Sequence, residues 1–153
     1  MRKAMLLMVA LGLTGSLWAT DPFVGTWKLN VARSTVTDPS AMPKSETSKW
    51  AAIDKGFKSI LDGIDAEGKA YHMEVALILD GTNYPINGNP NMDMRSAKKI
   101  DSNTILFVTK KAGKEVRKWR FTFSKDSKTM TMIGKGITPK GQAYSGSFVY
   151  DKQ

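Results

Sequence analysis

The chain has 153 residues, 41% hydrophobic and 24% charged, with 23 lysines and arginines against 14 aspartates and glutamates. That length suits one compact domain, and the apolar fraction excludes intrinsic disorder. With no cysteine and a single histidine, disulfides, thiolate zinc sites, iron–sulfur clusters, a cysteine nucleophile, a lipidated leader cysteine and multi-histidine metal centres are all excluded.

Residues 1–19 read as an export signal. Arg2 and Lys3 supply the charged start, Ala4 to Leu13 the apolar run, and Gly15-Ser16 the break before cleavage at Ala19. The run is too short for the ~20 residues of a membrane helix. The expectation is an exported protein, periplasmic or extracellular, whose working domain is residues 20–153 and which has no transmembrane span once the leader is removed.

From there the chain alternates apolar and polar side chains over short segments, the signature of half-buried strands. Phe23–Asn30 places Phe23, Gly25, Trp27 and Leu29 on one face. Glu46–Ile53, Phe57–Ile64 and Tyr71–Leu79 follow, the last with Tyr71, Met73, Val75 and Leu77 opposite His72 and Glu74. Met92–Ile100, Thr104–Lys110, Val116–Ser124, Lys128–Gly134 and Ala143–Tyr150 complete the series. Gly, Asn and Asp cluster between the segments, as hairpin connections require. The pattern predicts an all-β antiparallel up-and-down meander of about 9–10 strands. A sheet that size closes into a barrel to remove its edges.

An internal echo marks two of the hairpins. Gly63-Ile64-Asp65-Ala66-Glu67-Gly68-Lys69-Ala70-Tyr71 returns as Gly136-Ile137-Thr138-Pro139-Lys140-Gly141-Gln142-Ala143-Tyr144. It reads as one turn solution used twice, with a duplicated ligand loop as the alternative. The connection Val31–Ser45, with Pro39 and Pro43, is too long for a hairpin and is a candidate rim or flap.

The opening Phe23-Val24-Gly25-Thr26-Trp27-Lys28-Leu29 resembles the first strand of the calycin superfamily, the lipocalins and cellular fatty-acid-binding proteins. In that superfamily the Trp of a G-x-W element plugs the closed barrel end, and the Gly permits close approach. Gly25 and Trp27 match it and are assigned that structural role. The start also resembles a group of small exported bacterial proteins that are lipocalin-like by fold. The resemblance implies a lipocalin-like barrel. The last strand departs from the fatty-acid-binding pattern: Tyr150 matches the Tyr of its R-x-Y clamp, but Phe148 stands in place of the Arg. Val31–Ser45 is too short for a two-helix lid, and no helix follows the last strand.

Trp27, Trp50, Tyr71, Trp119, Met130, Phe148 and Tyr150 are candidate lining residues of the barrel. Arg117 shares a face with Trp119, Phe121 and Phe123. Two readings stand for it: a guanidinium that grips an anionic head group, or one that covers a Trp at the barrel end. Met73, Met92, Met94, Met130 and Met132 fall on expected strands, where flexible thioethers suit a core or an adaptable cavity.

Charge is divided along the chain. Residues 20–94 hold 7 basic and 10 acidic side chains, residues 95–153 hold 14 and 4. Lys110, Lys111, Lys114, Lys118 and Arg120 form a surface that attracts polyanions. The aromatics lie on the opposite face, away from these cations, so nucleic acid is not expected.

Asp62, Asp65, Glu67, His72 and Glu74 gather near one hairpin. Turn geometry explains the first carboxylates better than catalysis does, and His72 with Glu74 faces outward. Asp80 to Asn91 is rich in Asn and Gly but lacks the acidic spacing of a calcium loop. No metal, cofactor or enzymatic activity is expected. The leading expectation is non-catalytic binding of a small apolar or amphipathic molecule in the barrel. The alternative is a side-chain-filled barrel whose basic face binds an anionic envelope component or a protein partner.

Overall fold

Alternating side chains divide between a shared interior and solvent over eleven antiparallel strands. The computed structural model describes residues 21–153. The expected leader, residues 1–19, and its cleavage point lie outside the described residues. The strands are β1 (Gly25–Leu29), β2 (Thr35–Val36), β3 (Ser45–Ile53), β4 (Gly56–Ile64), β5 (Ala70–Ile78), β6 (Tyr84–Pro85), β7 (Met94–Asp101), β8 (Thr104–Lys111), β9 (Lys114–Phe123), β10 (Thr129–Ile137) and β11 (Ala143–Lys152).

Ten of them form one path, β5-β4-β3-β1-β11-β10-β9-β8-β7-β6, with β2 paired to β11. The path is an up-and-down meander except that the first strand sits between β3 and the last. Its two ends approach each other and make the barrel nearly closed. Glu74 and Asn87 exchange both backbone hydrogen bonds at 2.9 Å, and Gly81 donates to the Ala97 carbonyl at 2.8 Å. The expected all-β barrel is therefore present.

Two details differ from the sequence reading. The strand expected over 92–100 begins at Met94, and Met92 lies in the preceding loop. Part of the Asn-rich connector forms the short β6, which pairs with β7. In that connector the Asp80 carboxylate accepts hydrogen bonds from Thr82 N (2.8 Å) and the Tyr84 hydroxyl (3.2 Å), so its acid is spent on the turn.

Aromatic side chains fill one end of the barrel. Trp27 is fully buried, with Phe123 at 5.3 Å between ring centroids, and its indole N–H donates to the Phe23 carbonyl at 3.0 Å. Phe23 tilts against Phe123 at 4.7 Å. Above them Trp50 stacks on Phe57 at 4.4 Å, and Phe107 meets Phe121 at 4.4 Å. Aromatic pairs in these geometries add about 0.5–1.5 kcal/mol each beyond their burial.

The long connection between β1 and β3 is a strap rather than a lid. Single 3-10 turns at Val31–Arg33 and Pro39–Ala41 flank β2, which runs beside β11 where β1 leaves off. The Ser34 hydroxyl fills the gap between β1 and β2, donating to Asn30 O at 2.7 Å and accepting from Val149 N at 2.9 Å.

The two echoed hairpins have the same geometry. Asp65 N bonds Lys69 O in the first and Thr138 N bonds Gln142 O in the second. Gly63 pairs with Tyr71 and Gly136 with Tyr144 across the ladders. In each, the tyrosine ring lies where a Cβ on the glycine would stand, at 2.4 Å and 2.8 Å respectively. The repeated glycine is thus the space for a cross-strand tyrosine.

Candidate functional site

Aromatics fill only one half of the barrel, and a cavity of about 350 Å³ occupies the other. It opens between the two echoed hairpins, where Asp65, Glu67, Thr138 and Lys140 line its rim. Lys140 Nζ joins Glu67 Oε1 at 2.9 Å across that opening. Ser40, Ala41 and Pro43 of the strap also line the cavity.

Of the candidate lining residues, Trp50, Tyr71, Arg117, Trp119, Met130, Phe148 and Tyr150 line this cavity. Trp27 does not. It packs against Phe123 at the filled end. Arg117 is not the cation at that end either: Lys152 holds the position, its ammonium 5.1 Å from the Trp27 ring centroid.

Two ionisable residues at the centre of the site were not anticipated: Glu46 and Arg95. Glu46, on β3, accepts a 2.5 Å hydrogen bond from the Tyr71 hydroxyl on one carboxylate oxygen and another from the Tyr150 hydroxyl on the other. The bridge ties together β5, β3 and β11. Burial, and then the neighbouring Glu46 charge, push both phenols well above the usual tyrosine range. They remain neutral donors, and the carboxylate is held by hydrogen bonds rather than by a cation.

Arg95, on β7, is 9% exposed. Its Nε donates to the buried Thr109 hydroxyl at 3.0 Å, and its guanidinium lies 5.6 Å from the Phe107 ring centroid. Neither Arg95 nor Arg117 forms an ion pair with any described carboxylate. Burial, with the like charge of Arg117 second, lowers the Arg95 pKa to about 10. The inner part of the cavity therefore holds two guanidinium groups and one carboxylate, Glu46, which is engaged by two phenols, while Asp65 and Glu67 stand at the rim.

Alternation contained a signal for Arg95. It shares a face with Ala97, between outward Met94, Ser96 and Lys98. Glu46 sits at i and i+4 to Trp50 on the inward side of β3, but at the strand start, where inward and rim positions look alike in sequence.

His72 stands apart on the outer surface. Its Nδ1 meets Asp62 at 2.7 Å and its Nε2 meets Glu74 at 3.3 Å. The two carboxylates address different ring nitrogens, so they do not converge on one point. Among the described residues no group of three or more histidines and acids has the arrangement to hold a metal ion.

Among the described residues no helix is long and apolar enough to cross a membrane. The sequence matches no family model and no curated protein.

Proposed function

We propose that this protein is a non-catalytic carrier that holds a small amphipathic molecule in its barrel, with an anionic head group on Arg95 and Arg117. The observation that carries the reading is Arg95: a guanidinium 9% exposed, lining a cavity of about 350 Å³, with one hydrogen bond and no carboxylate partner. A buried guanidinium with no carboxylate in contact, whose one opposite charge, Glu46, acts from a distance and is shared with Arg117, is expensive, and an anionic ligand lowers that cost. A carboxylate, sulfonate or phosphate monoester matches the fork geometry of guanidinium. Trp119, Phe148, Met130 and Met73 supply apolar contact for the remainder of the ligand. The cavity size falls within the ~300–1,000 Å³ of small-molecule sites.

Membership of the calycin superfamily belongs to the same proposal. It is supported by the G-x-W plug, the nearly closed antiparallel barrel and the Lys152 cap over Trp27. Export, with a periplasmic or extracellular location, is supported by the leader pattern of residues 1–19.

Native mass spectrometry of the protein isolated from its own host's envelope tests the carrier reading. The expected result is a bound acidic molecule that is released on denaturation. Delipidated protein is expected to take up anilinonaphthalene sulfonate, and an Arg95→Met/Arg117→Met variant to lose that uptake at least tenfold. A bare protein that also takes up no probe, or uptake unchanged in the double variant, overturns the reading.

A further inference from the structure

The outer face of β9 and β10 carries chemistry that the cavity does not use. On β10 the outward side chains run Ile133, Lys135, Ile137, and the two isoleucines are 57% and 43% exposed. Across the ladder Ile133 pairs with Arg120 and Lys135 with Lys118, both exposed. Lys111 and Lys114 flank the adjoining β8–β9 turn. Glu115 is the only acid between Ser102 and Lys125, and there is none from Ser127 to Tyr150.

The same corner contains a second hollow of about 190 Å³, lined by Pro90, Lys111, Val116, Ile137 and Pro139 together with Met92 and Arg117. Met92 and Arg117 also line the main cavity. The basic, isoleucine-tipped face therefore adjoins a hollow that shares Met92 and Arg117 with the main cavity.

We infer that this face docks on an anionic phospholipid surface, its lysines and arginine on the phosphates and Ile133 and Ile137 among the acyl chains at the interface. Cations of one sign interspersed with exposed apolar side chains are what such a surface attracts and accommodates. An acidic polysaccharide engages the cations alone and leaves both isoleucines in water. Nucleic acid favours exposed aromatics among the cations, and this face presents none. Docking here sets the side hollow against the bilayer, a route for an amphiphile past Arg117. That route rests on the carrier reading, whereas the docking itself does not.

Flotation of the full chain with vesicles tests the docking. Phosphatidylcholine vesicles containing about one third phosphatidylglycerol are expected to carry the protein, and pure phosphatidylcholine vesicles are not. Lys114→Glu/Lys118→Glu is expected to weaken binding at least tenfold, and Ile133→Ser/Ile137→Ser about tenfold. Comparing variant with parent cancels any contribution of residues 1–19. Absence of flotation on the anionic vesicles, equal binding to both vesicle types, or parent-level binding by the isoleucine variant overturns the inference. The last of these outcomes leaves a contact with the head-group charges alone and removes the isoleucines from it. Probe uptake by the cavity is expected to be unchanged in both variants, so failure of docking and failure of the carrier reading are separate results.

Discussion

Lys152 caps Trp27 at the filled end of the barrel, its ammonium 5.1 Å from the ring centroid, and its Cε lies 2.5 Å from where a Cβ on Gly25 would stand. Gly25 has φ +139°, a backbone conformation that side chains rarely adopt. The first and last strands thus interlock through one missing side chain and one long one.

That interlock predicts unequal costs. Gly25→Ala strains the backbone and displaces Lys152 from the ring, and is expected to cost about 2–3 kcal/mol. Lys152→Ala removes only the cation over the ring and is expected to cost about 0.5–1 kcal/mol. Urea unfolding of the two variants measures both. Equal losses would show that the glycine matters only through the lysine.

The Glu46 bridge makes a second contrast. Tyr150 is buried and Tyr71 half-buried, yet each donates a 2.5 Å bond to the same carboxylate. Hydrogen bonds to a charged group contribute about 1.5–3 kcal/mol. Tyr150→Phe is expected at the upper end of that range and Tyr71→Phe at or below the lower. The double variant is expected to lose more than the sum, because Glu46 then keeps no donor at all. Chemical denaturation of all three variants checks the ranking.

On the proposed carrier reading, Arg95 trades stability for binding. Replacing a buried charge that has no close ion-pair partner with an apolar side chain of similar length is commonly neutral or stabilising. Arg95→Met is therefore expected to unfold, without ligand, within about 1 kcal/mol of the parent or above it, even though Thr109 loses its donor. Affinity for an anionic probe is expected to fall at least tenfold in the same variant. Thermal unfolding with and without probe separates the two effects.

Arg95 and His72 contribute to the dependence of the protein on pH in opposite ways. Burial, with the like charge of Arg117 second, lowers the Arg95 pKa in the folded chain to about 10, well below that of an exposed arginine, so the unfolded chain holds that proton more tightly. Above about pH 10 the Arg95 contribution to stability therefore rises with pH, while binding of an anion is expected to weaken there. His72 shifts the other way. Its hydrogen bond to Asp62, and then that to Glu74, raises its pKa above 6.5. Its contribution to stability is complete below pH 6.5 and is lost as pH rises through the higher folded value. His72→Gln is expected to flatten the melting temperature against pH from 6.5 upward, and an unchanged slope would remove His72 as its cause.

Alternation alone determined most of the fold. Trp119, Phe121 and Phe123 on one side of β9, with Lys118, Arg120 and Thr122 on the other, leave one inward face, since a slip of one residue would bury the charges. Trp27 and Leu29 likewise alternate with outward Lys28 on β1. Period-two patterning cannot report how far along the barrel axis an inward residue sits, because that depends on strand tilt and register across the whole sheet. Trp27 and Trp119 read alike in sequence, yet one is in the plug and the other lines the cavity. Glu46 and Tyr150 are 104 positions apart and meet because β1 inserts between β3 and β11. Arg95 meets Thr109 through the β7–β8 register. The sequence thus determined which faces turn inward. Only the closed sheet decided that one half of the interior fills with aromatic rings while the other keeps a cavity lined by two unpaired guanidinium groups.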